Sequence, residues 1–140
     1  MSEGIRGGTR QVVLSWSGGL AVDGGEPGGP ELRIDGDNTD APGTVLTLLV
    51  AAAACSGADV VSILAKMRVE LHRCRIEVLG ERRAEQPRRF VAIHLVYHLS
   101  GAGLDLAKAR RAVALSLDKY RSVIHSLASD IRITHELALD

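Results

Sequence analysis

The chain has 140 residues, 46% of them apolar, with 17 basic and 17 acidic side chains. Such a length and composition suit one globular domain that buries a core without disulfides or metal, and they exclude a disordered chain. A formal net charge of zero lacks the basic surface that generic nucleic-acid binding needs, and it leaves little repulsion between copies, which favours self-association.

Residues 1–9 read as a flexible N-terminal tail, polar and Gly-rich with no apolar signal core, ahead of a single domain over 10–140. Two cysteines are too few for a disulfide framework, so the expected compartment is the reducing cytoplasm. Residues 10–16 predict a strand with Val12, Leu14 and Trp16 on one face. Gly18-Gly19 marks a turn, residues 20–22 a short return strand, and 24–30 (GGEPGGP) a loop. Residues 32–34 form a third strand, closed by a turn over 35–38.

Thr44 is placed to cap a long helix over 45–67. Its first half is apolar nearly all round, the pattern of a helix buried on every side. The continuous apolar run, 45–55, is shorter than the roughly 20 residues of a membrane span, and Asp59 and Lys66 interrupt its continuation; a core helix is expected, with no membrane partner. Residues 73–81 predict a strand with Cys74, Ile76 and Val78 on one side, 80–89 a charged hairpin loop, and 89–100 the clearest alternation in the chain. After a turn at 101–103, Asp105 is placed to cap a second long helix over 106–128. Its stripe comprises Leu106, Ala109, Val113, Leu117, Tyr120, Ile124 and Leu127. A last strand spans 130–137. The order β-β-β-α-β-β-α-β lacks the rhythm of a doubly wound sheet and fits an α+β domain of antiparallel sheets packed with two long helices.

Cys55 is the leading candidate for chemistry. A cysteine in an apolar helix is ordinarily a small buried hydrophobe, and a reactive thiol needs a nearby cation or a helix N-terminus. No cation stands within one turn of Cys55, so an activating charge must come from elsewhere in the fold. Cys74 is a candidate alternative resolving cysteine, but it lies on the apolar side of its strand, where ordinary burial is the favoured reading, and a disulfide would need its Cα within roughly 7 Å of its partner's. His94 and His98 share a strand face but lie roughly 13 Å apart, too far to share one ion. His72 with Cys74 makes a poor metal site, and no metal or cofactor is expected. Gly101-x-Gly103 lacks the βαβ setting of a dinucleotide loop. The pairs Arg82-Arg83 and Arg88-Arg89 sit with Glu81 and Glu85 on a solvated loop.

Four stretches resemble the OsmC/Ohr family (osmotically inducible protein C and organic hydroperoxide resistance protein), in order. They are VVLSWSGGLAVDG at 12–24, the helix at 42–66 with ACSGADVVSILAK, GERRAEQPRRFVAIHLVYHLSGAGLD at 80–105, and RRAVALSLDKYRSVIHSL at 110–127. The resemblance implies an intertwined homodimer with sites at the subunit interface. It also implies thiol-dependent reduction of organic or hydrogen peroxide in an antioxidant, oxidative-stress response. In the family, one cysteine attacks the O–O bond and becomes a sulfenic acid, a second closes a disulfide, and a dithiol resets the pair. An Arg steadies the thiolate and a Glu near the helix start holds that Arg. Cys55 matches the attacking cysteine. Arg121 stands where the second cysteine belongs, Leu46 aligns with the Glu, and Leu20 falls near where some members carry their Arg. A guanidinium at Arg121 facing Cys55 would favour the thiolate and leave a one-cysteine peroxidase reset by an external thiol. The alternative is a protein that kept the fold, lost the catalytic set, and holds an apolar small molecule at the dimer interface.

Overall fold

In the computed structural model, which describes residues 8–120 and 122–140 (Lys119 and Tyr120 by backbone alone), the chain divides into two compact units, Met1–Thr47 and Leu48–Asp140. The expected tail at 1–9 lies, up to residue 7, outside the described residues.

The first unit is an antiparallel meander of β1 (Val13–Gly18), β2 (Ala21–Gly25) and β3 (Leu32–Asp35). Gly18 and Gly19, both at positive φ, make the tight turn into β2. The second strand runs further than its glycines suggest. Gly24 is buried in it because a Cβ there would strike the Val13 carbonyl and the Leu14 side chain. A glycine read from sequence as loop is thus a close approach of two strands. Asp35 ends β3, and its carboxylate accepts the backbone N–H groups of Asp37, Asp40 and Thr39 at 2.9, 3.0 and 3.2 Å. Those donors, Asp40 first, hold the carboxyl below its ordinary value. The large apolar side chains Val12, Val13, Leu14, Trp16, Leu20 and Leu32 all stand more than half exposed.

The helix α1 runs Thr44–Lys66. Thr44 is therefore its first residue rather than its cap, a difference of one position at a helix end. Within the second unit, β4 (Glu70–Arg82) and β5 (Phe90–Ala102) pair antiparallel over nearly their whole length. β5 and β6 (Arg132–Leu139) pair parallel, joined by a helical crossover. The sheet order is β4-β5-β6. A parallel neighbour requires such a crossover, and it departs from a wholly antiparallel arrangement. Ile93, Leu95, Tyr97 and Leu99 of β5 are buried on one face, as the alternation predicts. The other face carries His98 against Glu77 at 2.7 Å and His94 against Thr134 at 2.6 Å.

The crossover opens as expected, with Asp105 accepting the Lys108 N–H at 2.8 Å. It is not one continuous α-helix. α2 (Leu106–Leu115) passes into a π-helical turn, Ser116–Tyr120, and then α3 (Ser122–His125).

Only five residues of α1, Leu49, Ala52, Ser56, Val60 and Leu64, are buried, so the expected all-round burial does not occur within one chain. Leu48, Val50 and Val61 remain 39–55% exposed. By length and composition alone α1 is long and apolar enough to cross a membrane, which the apolar run taken by itself is not. Its buried stripe, however, packs on protein: a Cβ at Gly57 would stand 2.9 Å from Ile76 Cδ1, and one at Gly80 would stand 3.0 Å from Leu49 Cδ2.

Candidate functional site

Cys55 sits one residue before Ser56, the centre of the buried stripe of α1, and is half-buried with a free thiol. A step of 100° around the helix takes the chain from Ser56, wholly inside, to a side chain at the edge of the core. No side-chain hydrogen bond or ion pair among the described residues involves the Cys55 thiol. Arg121, the cation expected to face it, lies outside the described residues.

The polar heart of this region is not one the sequence pattern announces. Ser56, Tyr97 and Ser116 are each fully buried and belong to α1, β5 and the π-helical turn. Ser56 Oγ shares hydrogen bonds with the Tyr97 hydroxyl at 2.5 Å and with Ser116 Oγ at 2.9 Å. Ser116 Oγ also donates to the Ser56 carbonyl at 3.2 Å and reaches Asp59 Oδ2 at 3.5 Å. Buried hydroxyls demand partners, and among the described residues no buried side-chain donor or acceptor is left without one. The π-helical turn starts at Ser116, the residue that enters the cluster; such insertions are frequent at functional sites.

Burial sets the titration of the groups around this cluster. It pushes the Asp59 carboxyl up, opposed by the hydrogen bond from Ser116. It also pushes up the Tyr97 phenol, against the opposing bond to Ser56, with Cys74 and Asp59 adding to the rise. The Cys74 thiol rises for the same reason. A raised thiol pKa means an inert thiol at neutral pH, which agrees with a packing role for Cys74.

Sequence reasoning misses the serines because the bonded partners lie 41 and 60 residues apart in the chain. One signal is present: Ser56 falls on the same stripe as Leu49, Ala52, Val60 and Leu64, where a hydroxyl must find a partner. Among the described residues no three His, Cys, Asp or Glu side chains gather as ligands.

Residues 36–136 match the family model described as OsmC-like protein. Protein YhfA of Escherichia coli (strain K12) is 40% identical over 126 residues, covering 89% of this chain and 94% of that protein. The crystal structure of a hypothetical protein from Aquifex aeolicus VF5 superposes with a TM-score of 0.79 at 26% identity, covering 94% of this chain and 98% of that one. An organic hydroperoxide resistance protein from Legionella pneumophila shares the fold, with a TM-score of 0.64 at 14% identity over 93% of this chain and 96% of that one.

Proposed function

The chain belongs to the OsmC-like family, and from that premise we propose that it reduces organic or hydrogen peroxides with Cys55 as the attacking thiolate. The observation that carries this reading is the placement of Cys55. By the sequence resemblance it matches the family's attacking cysteine, and on α1 it is half-buried with a free thiol. The thiolate sulfur attacks one peroxide oxygen, the O–O bond breaks, and sulfur is oxidised by two electrons to a sulfenic acid. The second oxygen leaves and takes up a proton as an alcohol or water. One external thiol then condenses with the sulfenic acid, releasing water and leaving a mixed disulfide. A second thiol displaces the first, restoring Cys55 and yielding an external disulfide. Cys74 takes no part. Arg121 is the residue proposed to favour the thiolate.

The working unit in this reading is a homodimer. The exposed apolar side chains of α1, and those of β1 to β3, are larger in number than single scattered surface residues and fit surfaces covered by a second copy. The cytoplasm, where thiol reductants are available, suits two free cysteines.

The test is consumption of cumene hydroperoxide or hydrogen peroxide in the presence of a dithiol, with Cys55→Ser as control. Turnover that vanishes in the variant supports the enzyme. A folded wild-type protein without turnover turns the reading toward a binder of apolar small molecules.

A further inference from the structure

We propose that Asp59 shuttles the proton of the Cys55 reaction, held in place by the hydroxyl chain Ser116–Ser56–Tyr97. This inference rests on the peroxidase reading and adds to it the acid–base partner that the sequence resemblance does not supply.

Asp59 stands four residues after Cys55 in one continuous α-helix, so the two side chains are neighbours on the same face, with Cβ atoms about 5–6 Å apart. Both are half-buried. The carboxylate is fixed from behind: Ser116 reaches Oδ2 at 3.5 Å, while no hydrogen bond among the described residues occupies Oδ1. Among the described residues, Oδ1 is the carboxylate oxygen available to a thiol or a substrate.

The anchor serves both protonation states. With the Ser56 hydroxyl donating to Ser116 Oγ at 2.9 Å, the single Ser116 proton has two further acceptors in range, the Asp59 carboxylate and the Ser56 carbonyl at 3.2 Å. With Asp59 ionised, that proton turns to the carboxylate; with Asp59 protonated, it turns to the carbonyl. Ser56 and Tyr97 continue the chain into the core, so neither state strands a buried hydroxyl. Among the described residues, the groups facing Asp59 are Ser116 from the π-helical turn and, through Ser56, Tyr97 from β5 with Cys74 beyond it on β4. Cys55 is its neighbour on α1. Burial raises the Asp59 carboxyl, which narrows the gap between a carboxylic acid and the thiol it must serve.

The step balances. Ionised Asp59 accepts the Cys55 S–H proton. The thiolate attacks the peroxide, the O–O bond breaks, and Asp59 returns the proton to the leaving oxygen. Cys–SH and ROOH become Cys–SOH and ROH, with Asp59 regenerated as carboxylate. No further reactant enters.

The test compares two single-turnover reactions of reduced protein against pH: formation of sulfenic acid with cumene hydroperoxide, and alkylation of Cys55 by iodoacetamide, whose iodide leaves without a proton. In the wild type, the peroxide rate passes through a maximum and falls at high pH, where the pair has lost its shared proton, while alkylation rises to a plateau. Asp59→Asn, which still accepts from Ser116, lowers the peroxide rate by about 10²-fold and changes alkylation far less. Asp59→Glu restores part of the loss. Equal losses in both reactions, or parallel wild-type profiles, overturn the proton shuttle and leave the peroxidase reading standing. Absence of any sulfenic acid in the wild type overturns both. If Asp59→Asn does not fold, the two wild-type profiles decide.

Discussion

Removing one hydroxyl of the buried cluster has a cost that depends on which partner is left behind. Ser56→Ala takes away the partner of the Tyr97 hydroxyl, bonded at 2.5 Å and sealed from water. A stranded polar group there costs about 2 kcal/mol. Tyr97→Phe removes the phenol but leaves Ser56 bonded to Ser116 at 2.9 Å, so the loss is about 1 kcal/mol. In the double variant neither hydroxyl remains to be stranded, and Ser116 still donates to the residue-56 carbonyl. Its total loss is roughly 1–1.5 kcal/mol rather than the 3 expected of independent sites, a coupling of about 1.5 kcal/mol. For a chain of 140 residues, unfolding entropy is about 0.3 kcal/mol per degree, so Ser56→Ala lowers Tm by roughly 7 °C. Urea unfolding of the four proteins at one fixed protomer concentration measures the cycle. Additive losses would refute the buried chain of hydroxyls.

At Gly57, a methyl group would stand 2.9 Å from Ile76 Cδ1, the movable end of a side chain. The clash and the gain in helix propensity nearly cancel: Gly57→Ala stays within about 1 kcal/mol of wild type, whereas Gly57→Leu overpacks the α1–β4 contact and loses roughly 1–3 kcal/mol by urea unfolding. Asp105→Ala, which removes the cap on Lys108 N, costs about 1 kcal/mol in the same assay. The Asp35 carboxyl is depressed in the folded chain by backbone donors. Its stabilisation is therefore present above the ordinary value of 3.8 and lost as pH falls through the lower, folded value. Thermal melts should show the advantage of wild type over Asp35→Asn flat above about pH 5 and shrinking below about pH 4; an advantage independent of pH contradicts the Asp35 loop geometry.

The strands with strong alternation are legible from sequence. β5 buries Ile93, Leu95, Tyr97 and Leu99 of the face its period selects and half-buries Val91, and on β4 Cys74, Ile76 and Val78 are the half-buried side of the expected alternation. Helix α1 is legible as an element, but its environment is not. Its apolar pattern asks for cover on all sides, and one chain covers only a stripe. The break in the second helix leaves no trace, because an apolar stripe in steps of three and four runs through Ser116–Tyr120 without signalling the extra residue of a π turn. The parallel pairing of β6 depends on where the crossover returns the chain, a long-range matter that local period does not encode. At the site, the motif around Cys55 singles that residue out. In the sequence Asp59 is only an interruption of apolar character, since its significance comes from a serine 57 positions away.

The central claim is that the Cys55 sulfur meets peroxide and is oxidised by it. The most direct measurement is mass spectrometry of reduced protein after one equivalent of cumene hydroperoxide, with sulfenic acid trapped chemically and located by peptide. The account predicts one added oxygen on the peptide bearing Cys55, none on that bearing Cys74, and reversal by an external thiol. An unmodified Cys55 in folded protein, or oxidation at Cys74 in its place, contradicts it.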